Sequence, residues 1–131
     1  MAKTILVVDD IAFVRKTLTE ILTEAHYEVI GQAADGREAI NLYTKLKPDL
    51  VTLDLVMPKM SGIEAARQIT KMDPSSRIIM ITAMAHENLI MEAINSGARD
   101  YVLKPFTTPD ILKALDRAFK DYTGNSRSRT A

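Results

Sequence analysis

The sequence predicts an α/β fold: a parallel five-stranded sheet with helices on both faces. Three observations carry this prediction. Five short runs read as strands, of which residues 4–8 are continuous enough in apolar residues to be buried on both faces and those at 50–53 and 77–82 also read as buried. Amphipathic stretches with apolar residues at helical spacing lie between them. The connections between strands are too long for hairpins, so they read as crossovers in an alternating β–α order.

The first strand is residues 4–8 (TILVV), and it ends in Asp9-Asp10. Over residues 13–26, Val14, Leu18, Ile21, Leu22 and Ala25 recur at helical spacing, with His26 as a surface residue at the helix end. Residues 29–33 form the second strand. Asp35-Gly36 turns the chain into a helix over 37–47 with Ile40, Tyr43 and Leu46 on one side, and Pro48 stops it. The third strand begins at Leu50 and closes on Asp54, followed by Met57-Pro58. Ser61 caps the next helix, with Glu64 spaced for a capping box and Ile63, Ala66, Ile69 and Met72 on its inner face. Asp73-Pro74 breaks the chain before the fourth strand, 77–82 (RIIMIT). A helix over 87–96 is closed by Gly97. The fifth strand, 100–103, runs into Lys104-Pro105. Pro109 starts the last helix, whose inner face is Ile111, Leu112, Leu115, Ala118, Phe119 and Tyr122. Residues 1–122 therefore make one domain. Residues 123–131 hold almost nothing to bury and are expected to be a disordered tail.

Composition narrows the function. The chain has 131 residues, 47% hydrophobic and 26% charged, as in an ordinary globular domain. Lys and Arg balance Asp and Glu, which gives no reason to expect nucleic acid or an anionic membrane as partner. There is no cysteine, so disulfides and thiolate metal sites are excluded. The N-terminus is neither a signal peptide nor a membrane span, and a cytoplasmic monomer is the expectation.

Parallel strands bring their C-terminal residues to one edge, where ligands bind in open α/β sheets. That edge collects Asp9-Asp10, Asp54, Thr82 and Lys104. Taken singly, each residue has an ordinary explanation. Asp9-Asp10 is a fair helix cap, Thr82 a β-branched strand end, Lys104 a solvated lysine. Asp54 is harder to explain away, because an acid closing an apolar strand needs a partner. Together, three carboxylates against one lysine leave an excess of negative charge suited to a hard divalent cation. Oxygen ligands without His or Cys favour Mg²⁺ over zinc. His86 reads as a solvated loop residue. Met57, Met60, Met72, Met80, Met84 and Met91 form no stripe and read as filling for core and loops.

The motifs Val7-Val8-Asp9-Asp10, Pro48-Asp49 through Asp54 to Met57-Pro58, Ser61-Gly62, Ile81-Thr82-Ala83, Gly97-Ala98 and Tyr101 through Lys104-Pro105-Phe106 lie in one characteristic order. From about Thr4 to Tyr122 the chain resembles the receiver domain of two-component response regulators, most of all its single-domain chemotaxis members. The resemblance implies a (βα)5 fold with the flavodoxin-like order 2-1-3-4-5. It implies that Asp54 accepts a phosphoryl group from a histidine kinase. Asp10, Asp54 and the Val56 carbonyl would bind Mg²⁺ directly, with Asp9 assisting through water. Lys104 would pair with the phosphoryl oxygens, Thr82 would hydrogen-bond one of them, and Tyr101 would follow inward. The Lys104-Pro105 bond would be cis. A downstream protein, such as a flagellar motor switch component, would read a face containing Ile90, Tyr101 and Ala114. Tyr101 read alone is ordinary strand packing.

Phosphoryl transfer asks a protein mainly for positioning and charge neutralisation, which these residue types supply. The product is a switch rather than an enzyme's turnover intermediate, since a phosphoryl group adds roughly −1.5 to −2 of charge and new acceptors. Val56 and Met84 are apolar where many relatives carry polar side chains that orient water, so slow self-dephosphorylation is expected. Three rival readings stand beside this one. A phosphorelay receiver has the same chemistry. A Mg²⁺-dependent phosphatase usually places its two aspartates one residue apart on the first strand. A flavodoxin-type binder needs a phosphate loop where Asp9-Asp10-Ile11-Ala12 lies.

Overall fold

A computed structural model describes residues 2–120, so the expected tail over 123–131 and the inner-face Tyr122 lie outside the described residues. The five runs become β1 (Thr4–Val8), β2 (Glu28–Ala33), β3 (Leu50–Leu53), β4 (Ile78–Thr82) and β5 (Asp100–Leu103). They pair in the order β2-β1-β3-β4-β5, every pair parallel. The crossovers are α1 (Ala12–Glu24), α2 (Gly36–Leu46), α3 (Gly62–Met72), α4 (Glu87–Asn95) and α5 (Thr108–Phe119). This is the flavodoxin-like (βα)5 arrangement.

Alternation along each strand divides the core into two layers. Ile5, Val7, Leu50, Ile79 and Ile81 pack with Leu18 and Leu22 of α1 and with Ile111, Ala114, Leu115 and Ala118 of α5. Leu6, Val8, Val51, Leu53, Ile78 and Met80 pack on the other side, against α2, α3 and Ala93 of α4. Ile69 of α3 is fully buried there, and its truncation to Ala would cost about 3 kcal/mol.

Helix ends differ from the sequence reading in instructive ways. Asp35 is a cap rather than a mere turn residue, its side chain accepting the Glu38 amide. Thr107 and Asp110 form a reciprocal capping box, so α5 begins at Thr108 and Pro109 lies within its first turn. At Ser61 only half of the expected box is made: its hydroxyl accepts the Glu64 amide at 3.2 Å. Gly97 adopts φ +118°, the left-handed C′ position that favours glycine. Two predicted inner-face residues end up outside. Leu46 and Met72 are exposed because each occupies the last turn of its helix, where Ala39 and Tyr43 in α2 and Ile69 in α3 already cover the sheet.

At the amino edge of the sheet two carboxylates each accept several hydrogen bonds. Asp49 accepts from the Thr4 amide at 2.8 Å and its hydroxyl at 3.1 Å. Asp73 accepts from the Tyr43 hydroxyl at 2.8 Å and from the amide and hydroxyl of Ser75. The Thr4 amide chiefly, and the Ser75 hydroxyl in the second case, hold both carboxyls below the usual carboxylate range. Tyr27 and Phe119 stack beside them at 5.9 Å, with Lys3 and Arg77 each 5.5 Å from the Phe119 ring.

Candidate functional site

Three of the predicted residues sit one step beyond a strand end, and each is tied to the neighbouring strand by its own amide. Asp9 donates to the Ala33 carbonyl, Asp54 to that of Val8, and Lys104 to that of Thr82. The sheet's ladder thus extends just far enough to fix the backbone from which each functional side chain leaves. Gly62 closes the arrangement from α3. A Cβ there would lie 1.9 Å from the Asp54 carbonyl oxygen, so only glycine lets the helix start so close to that backbone.

The side chains converge. Lys104 Nζ donates to Asp9 Oδ2 at 2.8 Å and to Asp54 Oδ2 at 2.9 Å. The remaining oxygens are also engaged: the Ile11 amide donates to Asp9 Oδ1 and the Val56 amide to Asp54 Oδ1. Asp9, Asp10 and Asp54 each offer an oxygen within 4.8 Å of the others. Asp9 and Asp54 are buried, whereas Asp10 is exposed. The helix-cap explanation of Asp9-Asp10 does not hold, since Ile11 is the N-cap of α1 and no side chain caps it.

Burial is the largest influence on Asp9 and lifts its carboxyl above the usual range, against the pull of the Lys104 and Ile11 hydrogen bonds. Burial alone would lower the Lys104 ammonium, but hydrogen bonds and charge from both carboxylates outweigh it and raise it. The lysine gains from two acids, while Asp9 must share one lysine with Asp54. That imbalance is a shortfall of positive charge. Three hard oxygen ligands around such a shortfall fit Mg²⁺ by donor type.

Thr82 is buried, and its hydroxyl accepts the Met84 amide at 3.3 Å rather than contacting Asp54. The Tyr101 hydroxyl donates to the Met84 carbonyl, so Met84 links both of these side chains. Lys104-Pro105 is cis. Ile90 and Tyr101 are half-buried on α4 and β5. Ala114 must be removed from the partner face. It is fully buried against the sheet, because the methyl lies on the same side of α5 as Ile111, Leu115 and Ala118. His86 is the exposed N-cap of α4, without a side-chain cap bond.

Sequence reasoning missed two features. One is that the apolar character noted at Val56 extends along the first loop and helix, where Phe13 is 74% exposed and Ile11 is exposed as well. Phe13 also lines an open groove of about 400 Å³ with Ala83, Lys104, Pro105 and Phe106. The other is Arg15, whose Nη1 donates to the Asp9 carbonyl at 2.7 Å. No sequence pattern signals it, since arginine on an exposed helix turn is commonplace.

Comparison with known proteins agrees with this geometry. Residues 5–116 match the response regulator receiver domain family. The chain is 47% identical over 120 residues to a chemotaxis protein CheY of Thermotoga maritima, covering 92% of this chain and 100% of that one. It is 49% identical to the protein CcdB of Bacillus subtilis, covering 86% of this chain and 94% of that one. Among solved structures, the CheX–CheY–BeF3–Mg complex from Borrelia burgdorferi superposes with a TM-score of 0.88 at 36% identity, covering 91% of this chain and 90% of that one.

Proposed function

The chain belongs to the response regulator receiver domain family, and from that premise we propose that Asp54 is its phosphoacceptor in a chemotaxis switch. The observation that carries this reading is the pairing of one ammonium with two buried carboxylates, at 2.8 and 2.9 Å, beside a third acid. An Asp54 oxygen attacks phosphorus of a phosphohistidine on the kinase. The P–O bond forms as the P–N bond breaks, and the imidazole leaves with the electron pair and takes up a proton. No general base is required, because a carboxylate is already a nucleophile at neutral pH.

Asp10, Asp54 and the Val56 carbonyl would hold Mg²⁺, with Asp9 supporting them through water. The ion supplies neutralisation of charge on the transferring oxygens. Lys104 supplies a second cationic contact, and its raised ammonium keeps it charged. Release of the Thr82 hydroxyl from the Met84 amide frees it to bond a phosphoryl oxygen. Tyr101, bonded to the same residue's carbonyl, follows that movement and alters the face it shares with Ile90. The groove between Phe13 and Phe106 lies where a phosphodonor would settle beside Lys104. Similarity to proteins named CheY supports chemotaxis as the setting, and the same proposal takes residues 1–122 as one monomeric receiver.

The test is labelling with a small acyl phosphate donor in Mg²⁺ buffer, read by intact mass. The expected outcome is one phosphoryl group per chain, lost with EDTA and in Asp54→Asn. Labelling that survives Asp54→Asn would sink the assignment. A pull-down with beryllofluoride then asks whether a flagellar motor component is retained only in the activated form.

A further inference from the structure

Asp10 differs from its neighbours in the acidic cluster. Asp9 and Asp54 have both carboxylate oxygens engaged. Asp10 is exposed, and among the described residues its carboxylate has no hydrogen bond or ion pair. A carboxylate without partners of its own is only as well aimed as the backbone that carries it. That backbone begins at the Asp9–Asp10 peptide plane, whose carbonyl oxygen accepts Arg15 Nη1 at 2.7 Å.

Arg15 is in turn held by a closed circuit. Its Nε donates to Gln32 Oε1 of β2 at 3.2 Å, and Gln32 Nε2 donates to the Thr19 hydroxyl at 3.4 Å. The Thr19 hydroxyl donates back to the Arg15 carbonyl at 2.7 Å. One planar guanidinium therefore spans α1, β2 and the loop that presents Asp10, using the fork geometry that lysine lacks.

We propose that Arg15, oriented by Gln32, is a positioning residue that sets the Asp9–Asp10 peptide plane and thereby the cation affinity of the acidic site. This rests on the Mg²⁺ reading above and extends it to groups that touch neither the ion nor the phosphoryl group. The proposal makes a prediction opposite in sign to simple electrostatics. By charge alone, removing a cation beside three acids should tighten Mg²⁺ binding. By positioning, removal should weaken it, by about tenfold if Arg15 acts like other groups that orient metal ligands.

The experiment is calorimetric titration of the full chain with MgCl2 alone, with unfolding in EDTA measured in parallel. Arg15→Met is expected to weaken binding about tenfold, and Arg15→Lys to recover little of it. Gln32→Ala, which leaves every charge in place, is expected to weaken binding about threefold. Both should occur without matching loss of stability in EDTA. Unchanged or tighter binding in Arg15→Met overturns the proposal, as does loss of affinity that merely tracks unfolding. Absence of Mg²⁺ binding in the unaltered protein overturns the site reading itself, and this inference with it.

Discussion

The two edges of the sheet handle their acids in opposite ways, half-buried at one and buried at the other. At the amino edge, Asp49 and Asp73 each accept several hydrogen bonds, and their carboxyls lie below the ordinary range. At the carboxyl edge, Asp9 is pushed above that range by burial, and it shares Lys104 with Asp54 while Asp10 has no ion pair among the described residues. The first edge is arranged to hold the fold together. The second leaves negative charge undercompensated, which costs stability and creates a demand for a cation or a charge-changing event.

Acid should therefore act on the edges with opposite signs. The lowered carboxyls contribute stability that is complete above about pH 4 and fades as pH falls through their depressed folded values. Asp9 runs the other way, because protonation from its raised value downward relieves a buried charge.

The largest test removes the ammonium that bridges the two buried carboxylates of the carboxyl edge. Lys104→Met is expected to cost about 3 kcal/mol in EDTA, since it strands two buried carboxylates. Urea unfolding should show much of that loss recovered by millimolar Mg²⁺, whereas Mg²⁺ should not rescue damage at the amino edge. Asp49→Asn is the matching intervention there. It should cost about 2 kcal/mol at pH 7 through weakened bonds to Thr4, with the gap from the unaltered protein closing below about pH 4. Unfolding curves at pH 7 and pH 3 read both quantities.

A third change makes the carboxyl edge more polar, as the amino edge already is. Val56→Asn combined with Met84→Glu gives a phosphorylated Asp54 nearby groups that can orient water. Decay of the labelled protein should quicken about tenfold. Equal decay rates would end the explanation of slow hydrolysis by an apolar rim. The smallest effect is a gain. Asp10→Asn removes one like charge from the cluster and should stabilise the protein in EDTA by about 0.5 kcal/mol, while abolishing stabilisation by Mg²⁺. A loss of stability in EDTA would mean that the two edges are not opposed as described.

The sequence by itself determined β1, β3 and β4 most clearly, because parallel strands buried along nearly their whole length leave an apolar signature that amphipathic helices do not share. It also supplied Asp9, Asp10, Asp54, Thr82 and Lys104, since strand ends are countable positions in a chain. It misjudged Leu46, Met72 and Ala114, for which periodicity or likeness alone does not say where a helix overhangs the sheet or which flank it turns inward. Tertiary structure alone decided that Lys104 bridges Asp9 and Asp54 and that Gly62 lies against the Asp54 carbonyl. It alone brought Arg15 to the Asp9 carbonyl. Those contacts join residues whose distances depend on how crossovers pack, and no local pattern of residue types encodes a distance between separate elements.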